Sequence, residues 1–193
     1  MKTTLRVGII LGGLLIQAVS FADGKHTITP KFGQYSLDST TQIIASSTSI
    51  FEESSGSAGV EYQYRITENM TIGGSIDSFS HNYTRSGING TMDTTFFLFN
   101  FKYIFPVSDW FNPYIGASAG VAAIDISGSI SGTAADSAAG ISLGIAFPIN
   151  DTIGLGIEYR KFSATVTGDV SGGGTTDIDV SGSVLTANLN ITF

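Results

Sequence analysis

Hydrophobic and polar residues alternate one by one along most of the chain, which is the pattern of a β-strand with two unlike faces. The last ten residues show it clearly, because Leu185, Leu189 and Ile191 share one face whereas Asn188 and Asn190 share the other. Eight such segments follow one another, separated by turn residues, so we predict an all-β protein. The predicted strands span residues 26–37, 59–66, 70–83, 94–105, 113–126, 138–149, 152–167 and 179–193.

The connections between these strands alternate between long and short. Residues 38–58, 84–93, 127–137 and 168–178 are long and rich in Ser, Gly, Thr and Asp, whereas 67–69, 106–112 and 150–151 are short. This alternation predicts antiparallel up-and-down strands, with every long loop at one end and every short turn at the other. The Ser-rich tract 46–57 is predicted to be the most mobile loop.

The charged residues of the middle strands fall on the face opposite the hydrophobic one. A bilayer offers no water to unpaired backbone groups, so a sheet within it must close into a barrel, apolar outside. We therefore predict an eight-stranded transmembrane β-barrel with a polar lumen filled by side chains. A soluble β-sandwich, with its polar face in water, is the alternative.

The inward charges are expected to pair with one another, because an unpaired buried charge is costly. A network that fills the lumen is favoured over an ion path. Lys31 is a possible additional member, and Arg65 and Lys102 are expected to reach toward the small inward residues of strands five to seven. The predicted members of the network are Glu61, Arg65, Asp77, Lys102, Glu158 and Arg160.

Aromatic residues gather near the short-turn ends of the strands. Such residues prefer the interface between a bilayer and water, so they predict an aromatic girdle on the periplasmic side. The predicted girdle residues are Phe105, Trp110, Phe111, Phe147 and Phe193.

The first residues have the pattern of a secretory signal. Lys2 and Arg6 precede the apolar run 7–16, and small residues at Ser20 and Ala22 suit cleavage after Ala22. The run is too short for a spanning helix, which needs about 20 apolar residues. We therefore expect a signal peptide over 1–22 and one barrel domain over 23–193.

Charge and cysteine content exclude several classes of function. Loss of Lys2 and Arg6 with the signal leaves seven basic residues against 16 acidic ones, which argues against a nucleic-acid partner. The chain has no cysteine, so it has neither disulfides nor thiolate metal sites. No cofactor and no metal are predicted. An oxygen-ligand site formed by Asp169, Asp177 and Asp179 is less favoured than a solvated acidic loop.

Two segments resemble a known family. The aromatic strand 99–105 with the following 112–120 (NPYIGASAG), and the hairpin 60–72, are similar to elements of the eight-stranded OmpA/OmpX/opacity-type outer-membrane barrels. The resemblance implies a Gram-negative outer-membrane location, contact with outer-membrane lipids, and recognition of Phe193 by the barrel-assembly machinery. It leaves the activity open, because such relatives include adhesins, channels and lipid A-modifying enzymes.

We expect a small non-enzymatic barrel whose extracellular loops have a surface-interaction or envelope-structural role. Ile50 and Phe51, an apolar pair in the polar first loop, are the predicted contact for an extracellular ligand. A channel for small or hydrophobic solutes is the alternative. A lipid A-modifying enzyme is third, because His81 lies near Ser78 and Ser80 but on the other face of the strand, so a serine from a loop would be needed.

Overall fold

The computed structural model describes residues 24–44, 47–128, 131–170 and 174–193; the expected signal peptide, 1–22, lies outside these residues. They form strands and turns, and they contain no helix long and apolar enough to cross a bilayer. The strands are β1 (His26–Leu37), β2 (Thr41–Ile44), β3 (Ser47–Phe51), β4 (Ser54–Thr67), β5 (Met70–Arg85), β6 (Ile88–Ile104), β7 (Asn112–Ser127), β8 (Gly132–Pro148), β9 (Ile153–Ser163), β10 (Thr165–Val170), β11 (Gly174–Asp179) and β12 (Gly182–Thr192).

Eight of these strands close into a barrel. Each pairs antiparallel with its neighbours in the order β1, β4, β5, β6, β7, β8, β9 and β12, and β12 pairs back with β1. At this closing seam the Phe193 N–H donates to the His26 carbonyl at 2.9 Å. The predicted all-β, up-and-down, eight-stranded barrel is confirmed.

The other four strands extend the barrel at the long-loop end. The hairpin β2–β3 lies in the first long connection and β3 adds to the end of β5, whereas β10–β11 forms a separate two-stranded sheet beside β8. We call the two hairpins, together with the outer ends of β5 to β8, the crown. Most of the tract 46–57 therefore lies in β3 and β4, so its prediction as a loop was wrong, although Ser46 itself lies outside the described residues.

The prediction of a long loop over residues 84–93 was also wrong. β5 continues to Arg85 and β6 begins at Ile88, so the connection is a two-residue turn. Ser86 and Gly87 both have positive φ, of 50° and 78°, which matches the right-handed twist of the flanking strands. Strand pairing continues here although the side chains carry little hydrophobic alternation.

Side chains on the two sides of the barrel wall differ as predicted. Large apolar residues cover the outer surface, with Phe99 60%, Leu143 59% and Leu185 55% exposed. Their neighbours in sequence point inward and are buried, as Asn100 and Ser142 illustrate. Such a surface is stable only against hydrocarbon, because water would leave the whole apolar belt solvated.

Candidate functional site

Six charged side chains cross the middle of the lumen, and we call them the ionic layer. Strands β1, β4, β5 and β6 contribute one residue each, and β9 contributes two. Three carboxylates meet three cations, so the layer has no net charge, and all six residues are less than 9% exposed. The members are Lys31, Glu61, Asp77, Lys102, Glu158 and Arg160.

Glu61 is at the centre of this layer. Its carboxylate lies 3.0 Å from the Lys102 Nζ, 3.3 Å from the Lys31 Nζ and 3.3 Å from an Arg160 guanidinium nitrogen. It also accepts a hydrogen bond from the Gln63 Nε2 at 2.8 Å. A carboxylate with three cationic partners holds strands from both halves of the barrel together.

The other two acids complete the layer. Glu158 lies 2.7 Å from the Lys102 Nζ and 2.8 Å from Arg160, while Asp77 lies 2.8 Å from the Lys31 Nζ and 3.2 Å from Arg160. The Tyr114 hydroxyl donates to Glu158 at 3.0 Å. Tyr114 was missed from the sequence, although the alternation beside the outward Ile115 points it inward.

Arg65 does not belong to the ionic layer, contrary to expectation. Its inward orientation is as predicted, but it lies near the turn end of β4, where it is exposed and lines the lumen mouth. Lys31 occupies the layer instead. Alternation assigned Arg65 to the correct face of β4 but did not show how deep in the lumen it lies. Arg65 is four residues closer to the turn than Glu61 and therefore lies outside the ionic layer.

A cavity of about 470 Å³, which we call the vestibule, separates the ionic layer from the short-turn end. Lys102, Thr71 and Tyr114 line its inner end and Arg65 its mouth. Lys102 lies beside Gly116, and the Tyr114 ring fills the space next to Gly144. The small inward residues of β7 and β8 are therefore covered in part, and the open space lies between the ionic layer and the short-turn end.

Toward the crown the lumen is filled by apolar side chains, which we call the apolar layer. Tyr35 stacks on Phe79 with ring centroids 3.6 Å apart, and Phe96 stacks on Phe162 at 4.4 Å. These four rings are at most 5% exposed, and Met92, Ile124, Ile126, Val166 and Ile178 pack in the same cluster. The apolar layer therefore closes the lumen on the crown side of the ionic layer.

His81 is completely buried beside this apolar layer. Its Nδ1 lies 3.5 Å from the Ser55 Oγ, and its ring contacts Tyr35 and Phe79 edge-on, each at 5.6 Å between centroids. The nearby acid, Glu52, bonds Asn82 at 3.0 Å on the outer surface instead. A serine at the outer end of β4 therefore does approach His81, but among the described residues no acid orients the imidazole. Ser55 is half-buried, and the His81 side chain is closed off from solvent.

The structure separates the two residues of the predicted surface contact. Ile50 is 58% exposed, whereas Phe51 is 3% exposed and packs on Tyr83 with centroids 5.3 Å apart. The two residues are adjacent in β3, so their side chains point to opposite sides of the strand. Of the predicted pair, Ile50 is accessible at the crown surface and Phe51 belongs to the apolar cluster.

The predicted girdle residues lie at the short-turn end. Trp110 is 67% exposed and contacts Phe111 at 5.6 Å, Phe111 contacts Phe147 at 6.1 Å, and Phe105 packs edge-on against Tyr103 at 5.0 Å. Phe193 lies across the barrel seam and stacks on the His26 ring at 6.0 Å.

The hairpin β2–β3 is fastened to β11 by one side chain. The Gln42 Nε2 donates to the Asp179 carbonyl at 2.7 Å, and the Gln42 Oε1 accepts from the Asp179 N–H at 3.0 Å. Within the hairpin β10–β11, the Asp177 carboxylate accepts a hydrogen bond from the Thr167 hydroxyl, and the Asp169 carboxylate accepts one from the Thr175 hydroxyl. No group of three or more metal-ligating side chains occurs among the described residues.

Replacing Gln42 by Ala is expected to loosen the crown without unfolding the barrel. Each lost hydrogen bond contributes on the order of 1 kcal/mol, so the Asp179 amide should exchange with solvent at least about tenfold faster. Hydrogen exchange followed by NMR measures this directly. Gln34→Ala, which removes an exposed amide bonded to Ser54, is the matched control and should leave Asp179 exchange unchanged. Equal exchange in Gln42→Ala and the parent would contradict the fastening role.

Comparison with known proteins identifies the family. The family described as the outer membrane protein beta-barrel domain matches residues 9–193. Neisserial surface protein A is 16% identical, with a TM-score of 0.62, and the match covers 89% of this chain and 98% of that one. OprG of Pseudomonas aeruginosa is 13% identical with a TM-score of 0.64, covering 88% and 96%, and Ail, the attachment invasion locus protein of Yersinia pestis, is 11% identical with a TM-score of 0.52, covering 87% and 95%. No curated protein matches the chain.

At such low sequence identity, the structural similarity shows only that the fold is shared. The family match covers nearly the whole sequence and therefore shows the family. In barrels of this kind the short turns lie in the periplasm and the longer connections lie outside the cell, so the vestibule faces the periplasm and the crown the exterior. The fold, the apolar belt and the family match lead to one conclusion: this chain belongs to the outer membrane β-barrel domain family and is located in the outer membrane of a Gram-negative envelope.

Proposed function

We propose that this barrel is a non-enzymatic surface protein whose crown contacts molecules outside the cell. The observation that carries the proposal is the contrast between its two parts. The lumen is closed by both the ionic and the apolar layer, whereas the crown extends ordered hairpins beyond the barrel. A barrel with a closed lumen and hairpins that extend beyond it is better suited to contact with extracellular molecules than to transport of solutes.

The membrane barrel and its proposed surface role together imply three kinds of partner. Outer-membrane lipids contact the apolar belt, and an extracellular ligand contacts the crown. Phe193, which pairs with His26 at the closing seam, is the residue through which the barrel-assembly machinery recognises the chain. The buried position of His81 supports the non-enzymatic assignment.

Ile50 is the proposed apolar contact at the crown. It is exposed on β3 beside a polar groove formed with Asn82, Thr84 and Asn89. We expect cells that display the barrel to be retained on at least one surface of a panel of immobilised matrix proteins and glycans. Ile50→Asn should reduce that retention at least about tenfold, because a residue that anchors the centre of an interface supplies about 2 kcal/mol or more.

Val107→Asn is the matched control, because Val107 is 64% exposed but lies in a periplasmic turn. It should leave retention unchanged. The surface role is contradicted when no panel member retains displaying cells above cells with an empty vector. Equal retention by Ile50→Asn and the parent would remove Ile50 from the contact.

Solute passage is the second candidate, and the vestibule favours it. This cavity leads from the periplasm to the ionic layer and is lined by hydroxyl and amide side chains. Passage requires both layers to open, and conductance measurements on the variants described in the Discussion test this.

A further inference from the structure

β11 has one edge that pairs with no strand in the described part of the chain. Its other edge pairs with β10, where the Val180 N–H donates to the Ala164 carbonyl at 3.0 Å. Backbone groups of successive residues in an antiparallel strand point to opposite edges. The N–H and C=O groups of Thr175, Asp177 and Asp179 therefore point away from β10.

Gln42 shows that this edge accepts a hydrogen-bonding partner. Its side-chain amide donates to the Asp179 carbonyl and accepts from the Asp179 N–H, as a peptide group of an added strand would. The next outward-pointing backbone groups belong to Asp177 and Thr175. Both residues are exposed, and no described residue is seen to bond their backbone on this side. Among the described residues, Gln42 of the neighbouring β2 therefore fills the edge at Asp179, and none bonds the backbone of Asp177 or Thr175 on this side.

The charge around this edge is negative. Asp169, Asp177 and Asp179 carry carboxylates on the outer face of the hairpin, and the neighbouring Lys161 is already paired with Asp38. On the opposite face, Ile178 is buried. Residues of an added strand would alternate between these two faces, so basic residues at every second position and apolar residues between them fit the edge.

We propose that the open edge of β11 binds an extended basic peptide segment of an extracellular partner by strand addition. The main-chain ladder would supply the binding, and the carboxylates would select basic side chains. This inference rests on the proposed surface role and specifies its partner. An exposed strand edge is otherwise a liability that proteins cover, and among the described residues the side chain of Gln42 bonds only the Asp179 end of this one.

The test uses the whole protein in nanodiscs of phosphatidylcholine and a fluorescent hexapeptide of alternating lysine and valine with blocked ends. Two further peptides are N-methylated, one at the lysine amides and one at the valine amides. Fluorescence anisotropy should show saturable binding of the parent peptide, absent from empty nanodiscs. One methylation pattern should weaken binding at least about tenfold and the other less than about twofold, because a single edge of the peptide pairs with β11.

The protein variants separate pairing from general charge attraction. Asp177→Asn should weaken binding up to about fivefold, the range of one exposed charge pair, whereas Asp109→Asn in a periplasmic turn should not. Gln42→Ala should bind as tightly as the parent or more tightly, because it frees the backbone of Asp179.

Two outcomes overturn the inference: no binding above empty nanodiscs, or equal binding of both methylated peptides and the parent. The second would show electrostatic attraction without strand addition. Either failure leaves the cell-retention experiment untouched, so loss of this site and loss of the surface role are distinguished. If cells that display the barrel are not retained on any panel member although the peptide binds, the surface role itself is contradicted.

Discussion

Replacing Glu61 by Leu is expected to destabilise the barrel by about 3–5 kcal/mol, the cost of breaking a buried ion pair from one side. Glu61 contacts Lys31, Lys102 and Arg160 within 3.3 Å, and it is fully buried. Its removal leaves three cations facing two acids, all of them buried. The excess positive charge, rather than the lost volume, dominates the effect.

Urea unfolding in detergent micelles, followed by tryptophan fluorescence, measures this change. Glu68→Gln is the control, because Glu68 is an exposed acid in the turn after β4; we expect an effect within about 0.5 kcal/mol. Arg65→Ala should have an equally small effect, since Arg65 lies outside the ionic layer. A large effect of Arg65→Ala, or a small one of Glu61→Leu, would refute the assignment of the layer.

The second large effect concerns conductance, which we expect to require damage to both layers. Lys102→Ala opens space in the ionic layer, but the packed rings of Phe79, Phe96 and Phe162 still close the lumen on the crown side. The reverse holds when those three rings are replaced by Ala. We expect the combination of all four substitutions, but neither set alone, to open a path from the vestibule to the exterior.

Planar-bilayer recordings should therefore show no channel events for the parent, for Lys102→Ala or for the triple aromatic variant. The combined variant should show them. The folded state of every variant is checked by the resistance of the closed barrel to denaturation in gel electrophoresis, because Lys102→Ala also breaks buried ion pairs. Channel events in Lys102→Ala alone would show that the apolar layer does not seal the lumen, and would favour the transport role.

Much of the barrel could be predicted because alternation needs only the sequence. It assigns a face to each residue, and so it separated Phe99 and Leu143 outside from Glu61 and Glu158 inside. It does not give depth. Arg65 shares a face with Glu61 but lies too near the turn, which only the completed barrel reveals.

The apolar layer was hidden because its rings occupy the face that otherwise carries charge. Phe79 and Phe162 continue the inward series of Asp77 and Arg160, and their packing depends on residues far away in the sequence. The crown was hidden for a different reason. Its hairpins are rich in Ser, Thr and Gly and show little hydrophobic alternation, so hairpins such as β2–β3 resembled loops. Recognition of β3 as a strand would have separated Ile50 from Phe51.

The equal numbers of acids and cations in the lumen bear on how the barrel is built. Strands β1 to β6 contribute Lys31, Glu61, Asp77 and Lys102, which sum to zero, and β9 contributes Glu158 and Arg160, which also sum to zero. Each set is therefore neutral by itself, and closure of the barrel joins two portions that each hold as many acids as cations. We expect this balance to lower the cost of burying the six charges, because neither portion brings a surplus charge of one sign into the closed lumen.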